Sequence, residues 1–356
     1  MKKILIIQNK RIGDVLISAV IANNYKAKYP DSVIHLMAYD FTHGVLLHNP
    51  NINQIIAINE KELKKIPNLI RTILKVRNEK YDIIFDPYSK LQSRLMCKFG
   101  GAKQTVGHKS RKKIGNWGYY THPVAILESK TQPCGKAIED RIHLLQQVDT
   151  FDTIDYEPKI FLTKEEKEFK VPEKYQDKKI IMLGILGSTP QKSMPYEYIA
   201  QIVDYIAHTF DCYLLFNYAP NQKAEADKIY ELCQNKSNII LDIYAKNIRE
   251  FAVLMNACNV LVSNEGGTVH IAKALQKPTF TIFSPYINKE DWSSFEDGII
   301  HQSVHLLDFY PNAITALSYE QSKEIEKNPR KLYLKLTPEL IIPKLDLFLK
   351  HHLESN

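Results

Sequence analysis

Glycine is scarce in this chain and cysteine never comes in pairs. Only 13 of the 356 residues are glycine, against a usual share of ~7%. A glycine pair in a turn is therefore informative here. Cys97, Cys134, Cys212, Cys233 and Cys258 are odd in number, scattered, and form no C-x-x-C. That pattern argues against a disulfide framework and a structural zinc site, and fits a reducing compartment. Long apolar runs are also missing. Lys3 is followed by only four apolar residues before Gln8, too few for a signal-peptide core, and no stretch is long enough to span a bilayer. The expected location is the cytoplasm.

Several chemistries lack their motifs. No G-x-G-x-x-G follows the first strand-like segment, and no G-x-x-x-x-G-K-[ST] is present, which weakens the case for a dehydrogenase or a P-loop NTPase. G-x-S-x-G and H-E-x-x-H are absent, so serine hydrolases and zinc peptidases lose ground as well. No D-x-D is available to hold a divalent metal against a nucleotide diphosphate.

What is present is a soluble composition, 44% hydrophobic and 24% charged, on a chain long enough for two cores. Apolar runs alternate with amphipathic stretches. In the first half, strands are predicted over 3–8, 33–38, 54–58 and 82–86, with helices over 14–29, 61–79 and 136–148. In the second half, strands are predicted over 179–186, 212–217, 239–241, 260–263 and 279–283. Helices are predicted there over 195–209, 221–235, 248–257 and 268–275. The alternation predicts an α/β protein with two doubly wound, Rossmann-like parallel sheets. The domains are expected at 1–155 and 179–330, joined by a lysine- and acid-rich linker at 156–178. A C-terminal helical segment, 331–356, interrupted by Pro343, is expected to pack back on the first domain. Such folds bind ligands at the C-terminal ends of their strands, here in a cleft between facing domains.

Three segments carry candidate chemistry. A strand feeds Asn264-Glu265-Gly266-Gly267 and then the helix opening at Thr268. Unpaired N–H groups and the positive helix end would make this turn an anion site. An ordinary βαβ connection with glycines for tight packing fits equally well. His270 either faces that anion or is a packed, satisfied histidine. Gly187, Ser188, Thr189 and Lys192 follow the first strand of the second half, with Pro195 opening a helix. Asp14 begins the first helix, either as a residue stabilising its own helix or as a carboxylate facing the cleft. A local excess of cations, within a net charge of +7, gathers at Lys103, His108, Lys109, Arg111, Lys112 and Lys113. It suits an acidic ligand. The patch is short, with only Trp117, Tyr119 and Tyr120 beside it for stacking, which points away from nucleic acid.

Together these residues resemble glycosyltransferase family 9, the bacterial heptosyltransferases of the lipopolysaccharide inner core. Ile12-Gly13-Asp14-Val15-Leu16 is similar to the family's Gly-Asp helix start. Ser263 to Pro278 is similar to its Ser-Asn-Asp-Thr-Gly-x-x-His-x-Ala-x-Ala-x-x-x-Pro pattern, with Phe283-Ser284-Pro285 closing the unit. The chain departs from that pattern at Glu265 (family Asp), Gly266-Gly267 (family Thr-Gly) and Met194 (family Trp). It departs again at Gln222, where relatives carry a Glu against the ribose.

The resemblance implies a GT-B fold and inverting transfer without a metal or a resident cofactor. It implies a nucleotide-sugar donor, ADP-heptose in most members, and a Kdo-lipid A or heptosylated-core acceptor met at the inner face of the membrane. Asp14 would then be the base. Lys192, Ser188, Thr189, Gln222, Glu265, Gly266, Gly267, Thr268 and His270 would hold the donor, and the 103–113 cations the acceptor. A nucleotide-sugar epimerase or hydrolase of the same shape is the main alternative. A non-catalytic nucleotide-sugar or nucleic-acid binder is another.

Overall fold

A computed structural model describes residues 1–109, 118–187, 189, 192–328 and 330–354. The chain divides into two compact units. The first contains Met1–Thr163 and Glu290–Ser294, the second Lys164–Lys289 and Phe295–Asn356.

The first unit runs β1 (Lys3–Gln8), α1 (Ile12–Lys28), β2 (Val33–Tyr39), β3 (Gln54–Ile58), α2 (Glu60–Leu63), α3 (Ile66–Asn78), β4 (Ile83–Asp86), α4 (Leu91–Phe99), β5 (Gln104–His108), β6 (His122–Val124) and α5 (Lys136–Leu145). All six strands are parallel, in the order β3-β2-β1-β4-β5-β6. Ile4–Ile7 and Ile83–Phe85 are buried, because a parallel sheet is covered on both faces and selects unbroken apolar runs. Helix α1 is enclosed from Gly13 to Tyr25.

The single helix expected over 61–79 is two helices. Pro67 has no N–H, and its ring would clash with the Leu63 carbonyl if the helix ran through, so a new helix starts at Ile66. Strands β5 and β6 and helix α4 have no counterpart in the sequence expectation. Strand β5, Gln-Thr-Val-Gly-His, has one aliphatic residue and no alternation to read. Gly107 is required there, since a Cβ would lie 2.3 Å from the Tyr120 ring.

The second unit runs β7 (Lys179–Gly184), α6 (Tyr196–Thr209), β8 (Cys212–Asn217), α7 (Lys223–Leu232), β9 (Ile239–Ile240), α8 (Ile248–Ala257), β10 (Val260–Asn264), α9 (Gly267–Ala274), β11 (Thr279–Ile282), β12 (His301–Val304) and α10 (Pro338–Glu354). The order β12-β11-β10-β7-β8-β9 is the same doubly wound arrangement. The order in which strands are added therefore reverses at one point in each sheet, between β1 and β4 in the first and between β7 and β10 in the second.

Two boundary expectations change. The 156–178 segment is not a free linker: from Lys164 it belongs to the second unit, where Arg249 Nε donates to Glu166 Oε1 at 2.7 Å. The C-terminal helix α10, expected on the first domain, is part of the second unit's core. Leu345, Phe348 and Leu349 are fully buried there, and Phe348 lies 5.6 Å from the Phe280 ring. All five cysteines are buried and unpaired.

Candidate active site

The first unit has a cavity of about 490 Å³ at the reversal point of its sheet, lined from the C-terminal ends of β1, β4 and β5 and the start of α5. Asp14, in the first turn of α1, is buried beside it. Lys10 Nζ donates to Asp14 Oδ1 at 2.7 Å, and Arg141 to the same oxygen at 3.2 Å. Both contacts fall on Oδ1, so Oδ2 makes no hydrogen bond among the described residues. Ser18 buttresses this arrangement: its hydroxyl donates to the Asp14 carbonyl and accepts from Gln8 at 2.8 Å. The Asp14 carboxylate is thus held from two other points of the chain, Lys10 and Arg141.

The rest of the wall is charged. Lys136 pairs with Asp140 at 3.3 Å and Asp291 at 3.5 Å, and Lys10 sits over the Trp292 ring. Lys90, Arg94 and Lys109 complete the cationic side. His108 also lines the cavity. Burial first, then the nearby Arg141, His143 and Lys136 charges, push its pKa down to about 3, so it is a neutral imidazole at physiological pH.

Beneath the cavity lies a buried polar cluster. Asp86 accepts from the Tyr120 hydroxyl at 2.7 Å and from the Ser89 N–H at 2.8 Å. Burial raises the Asp86 pKa to about 6, opposed by these donors and by Arg94. The cluster fixes the turn carrying Tyr88, Ser89 and Lys90 into the cavity wall.

In the second unit, the C-terminal ends of β7 and β10 lie side by side. They are so close that a Cβ on Gly184 would fall 2.0 Å from Ser263 Oγ. Beyond β10, Gly266 stands at the N-cap of α9 and makes no side-chain cap bond to that helix. Its opening N–H groups are thus presented at the reversal point of the sheet. Glu265, its side chain only 8% exposed, accepts from the Ser284 N–H at 2.9 Å through Oε2, while Oε1 has no hydrogen-bond partner among the described residues and lies 3.9 Å from Lys192 Nζ. Desolvation pushes the Glu265 pKa up to about 7 against the pull of the Ser284 N–H and Lys192.

Lys192 is held by its own loop. Its N–H donates to the Thr189 carbonyl at 2.9 Å, and Ser193 Oγ accepts from the Gly187 N–H at 2.9 Å. Gly187 permits the close turn, since a Cβ would meet the Lys192 carbonyl at 2.3 Å.

A family model described as glycosyltransferase family 9 (heptosyltransferase) matches residues 69–304. The chain belongs to glycosyltransferase family 9. Lipopolysaccharide heptosyltransferase 2 of Escherichia coli K12 is 21% identical to it over 300 residues, covering 80% of this chain and 83% of that one. A family 9 glycosyltransferase from Veillonella parvula has the same fold, with a TM-score of 0.78 at 19% identity over 99% of this chain and 98% of that chain. The E. coli heptosyltransferase WaaC, solved with ADP-2-deoxy-2-fluoro heptose, gives a TM-score of 0.69 at 13% identity over 97% and 99% of the two chains. The architecture is GT-B, and the protein is a glycosyltransferase.

Within this family 9 member, the residues expected from the sequence divide into groups. Asp14, His108 and Lys109 meet at the first cavity. Thr189, Lys192, Glu265, Gly266, Gly267 and Thr268 fall at the reversal point of the second sheet, and His270 is buried one turn into α9. Gln222 is a strut: its amide nitrogen donates to the Gly187 carbonyl and its oxygen accepts from the Ala219 N–H. Met194 is buried in the second core.

Lys103 does not join His108 and Lys109 at the cavity. It precedes β5, at the opposite end of that strand from the cavity, and pairs with Asp82 at 3.3 Å. Ser188, Arg111, Lys112 and Lys113, with Trp117, lie outside the described residues.

Sequence reasoning overlooked Arg141, Lys136, Asp140 and the Asp291–Trp292 pair. Lys136 and Asp140, four apart on a predicted helix, were a readable signal of one shared face. Nothing in the sequence assigns 290–294 to the first unit.

Proposed function

We propose that this family 9 glycosyltransferase moves a heptose from a nucleotide-activated donor, ADP-heptose, to an acidic, lipid-linked acceptor of the lipopolysaccharide inner core. The observation that carries the reading is the clamped Asp14 carboxylate in a cation-lined cavity at the end of the first sheet. Such a cavity attracts an acceptor bearing carboxylates or phosphates. The similar relatives are heptosyltransferases by name, which supports the choice of sugar.

In the proposed reaction the acceptor hydroxyl attacks the anomeric carbon of the donor in one displacement. Its proton passes to Asp14 Oδ2, the new C–O bond forms, and the nucleoside diphosphate leaves with the bonding pair, so the anomeric configuration inverts. Lys192 and the open N–H groups of α9 stabilise the charge growing on the departing diphosphate. Charge stabilisation is assigned to the protein alone, with no metal. Placement at a membrane face follows from the acceptor class. No helix among the described residues is long and apolar enough to cross a bilayer.

A panel of nucleotide sugars tested by thermal shift checks the donor, because a ligand bound only by the native state raises the melting temperature. ADP-heptose is expected to stabilise the protein, and transfer to an inner-core acceptor fragment is expected to give the inverted anomer by NMR. Stabilisation by UDP-sugars alone would overturn the donor. Equal nucleotide release with and without acceptor would favour a hydrolase or epimerase.

A further inference from the structure

Helix α3 carries one apolar arc too wide for the core to cover. Leu69, Ile73 and Val76 face the first core. Ile66, Ile70 and Leu74, spaced i, i+4, i+8, form an outward ridge and are 71%, 53% and 53% exposed. Burial within the fold does not explain that exposed edge. The adjoining helix α4 repeats the pattern: Met96 and Cys97 are buried, whereas Leu91 and Phe99 are 63% and 50% exposed. Five of the sixteen large exposed apolar residues among the described residues thus lie on these two contacting helices, and apolar groups so exposed occur at sites that meet another surface.

The polar residues around the ridge share one sign. Residues 60–80 hold seven Lys or Arg and three Glu. Glu60, Glu62 and Glu79 are occupied by Lys64, Lys65 and Lys3. Arg71, Lys75 and Arg77 have no carboxylate partner among the described residues, and all three are exposed. At 100° per residue, Arg77 lies on the ridge side of the helix and Arg71 flanks it, whereas Lys75 lies on the far side.

We propose that the outer face of α3 and α4 docks this enzyme on an anionic lipid bilayer, with Ile66, Ile70 and Leu74 entering the interface and Arg71 and Arg77 meeting the headgroups. An apolar ridge bordered by cations fits such a surface. A second copy of the same face is disfavoured, because it would bring like charges together. Helix α4 begins directly after Lys90, which lines the first cavity, so the docking face adjoins that cavity. This link to function rests on the proposed reading that the acceptor is lipid-linked.

Sedimentation of the full chain with vesicles tests it, using phosphatidylcholine alone and phosphatidylcholine with phosphatidylglycerol. The wild type is expected to bind only the anionic vesicles, and added salt to release it. The Ile70→Ser/Leu74→Ser variant is expected to bind at least about tenfold more weakly. It should keep an unchanged thermal melt and unchanged transfer to a water-soluble acceptor fragment. The double variant Arg71→Gln/Arg77→Gln should lose the preference for phosphatidylglycerol. Equal wild-type binding to both vesicles or to neither, or Ile70→Ser/Leu74→Ser binding like wild type, would overturn the proposal. So would a wild-type dimer in light scattering that this variant dissolves. Vesicle binding without any sugar transfer would sink the proposed function and leave the docking face standing.

Discussion

The Tyr333 hydroxyl donates to the backbone carbonyl of Lys192 at 3.0 Å. Tyr333 is fully buried, and desolvation together with the nearby Glu265 carboxyl pushes its phenol pKa well up, so it remains a donor. A residue near the end of the chain thereby positions the loop that presents Lys192. Tyr333→Phe removes one buried hydrogen bond and should cost about 1–2 kcal/mol of stability. The expected kinetic signature is a donor KM raised several-fold with kcat nearly kept, because the loop and not the chemistry is disturbed. Unchanged KM would reduce Tyr333 to a core residue.

Asp14→Asn tests the base. Loss of general-base catalysis should lower kcat by about 10²–10⁴-fold, with donor affinity by calorimetry close to wild type. Turnover within a few-fold of wild type would make the Asp14–Arg141 pair purely structural.

Lys192→Ala should weaken donor binding about ten- to a hundredfold, the range expected for losing a hydrogen bond to a charged group. Calorimetry with the nucleotide sugar reads this directly. Unchanged affinity would remove Lys192 from the site.

The buried Glu265 carboxyl gives a pH test of stability. Its folded pKa, about 7, lies above the ordinary value of 4.5. Between these values the folded state holds a proton that the unfolded state has lost. Glu265 therefore lowers stability as pH rises from about 4.5 to 7, and its penalty is full above that window. Glu265→Gln should gain stability over wild type across that range, on the order of 3 kcal/mol by pH 8. Chemical denaturation at pH 5 and pH 8 would show it. A difference between the two proteins that does not change with pH would contradict the assignment. Asp86, raised to about 6, is present in both proteins and cancels in the comparison.

Much of this was legible before the fold. Strands β1, β7 and β10 are unbroken aliphatic runs, and a run of that kind has few stable settings except the middle of a parallel sheet. The Gly266-Gly267 turn into α9 was readable because few residue types permit it. Strand β5 and helix α4 were not readable, since Gln104–His108 has almost no apolar signal and is held in the sheet by its neighbours. Lys103 shows the limit of a charge cluster: neighbours in sequence, it and Lys109 sit at opposite ends of one strand, so the cluster divides.

Local composition thus determined that there are two parallel sheets, where each turns into a helix, and that Asp14, Lys192 and Glu265 stand at those turns. Tertiary structure alone decided which partners reach them. Arg141 meets Asp14 across 127 positions of chain, and Tyr333 meets Lys192 across 141. Asp291 and Trp292 line the first unit's cavity from the far half of the sequence. Propensity and periodicity act over a few residues, whereas these contacts exist only because the burial of apolar surface brings distant segments together.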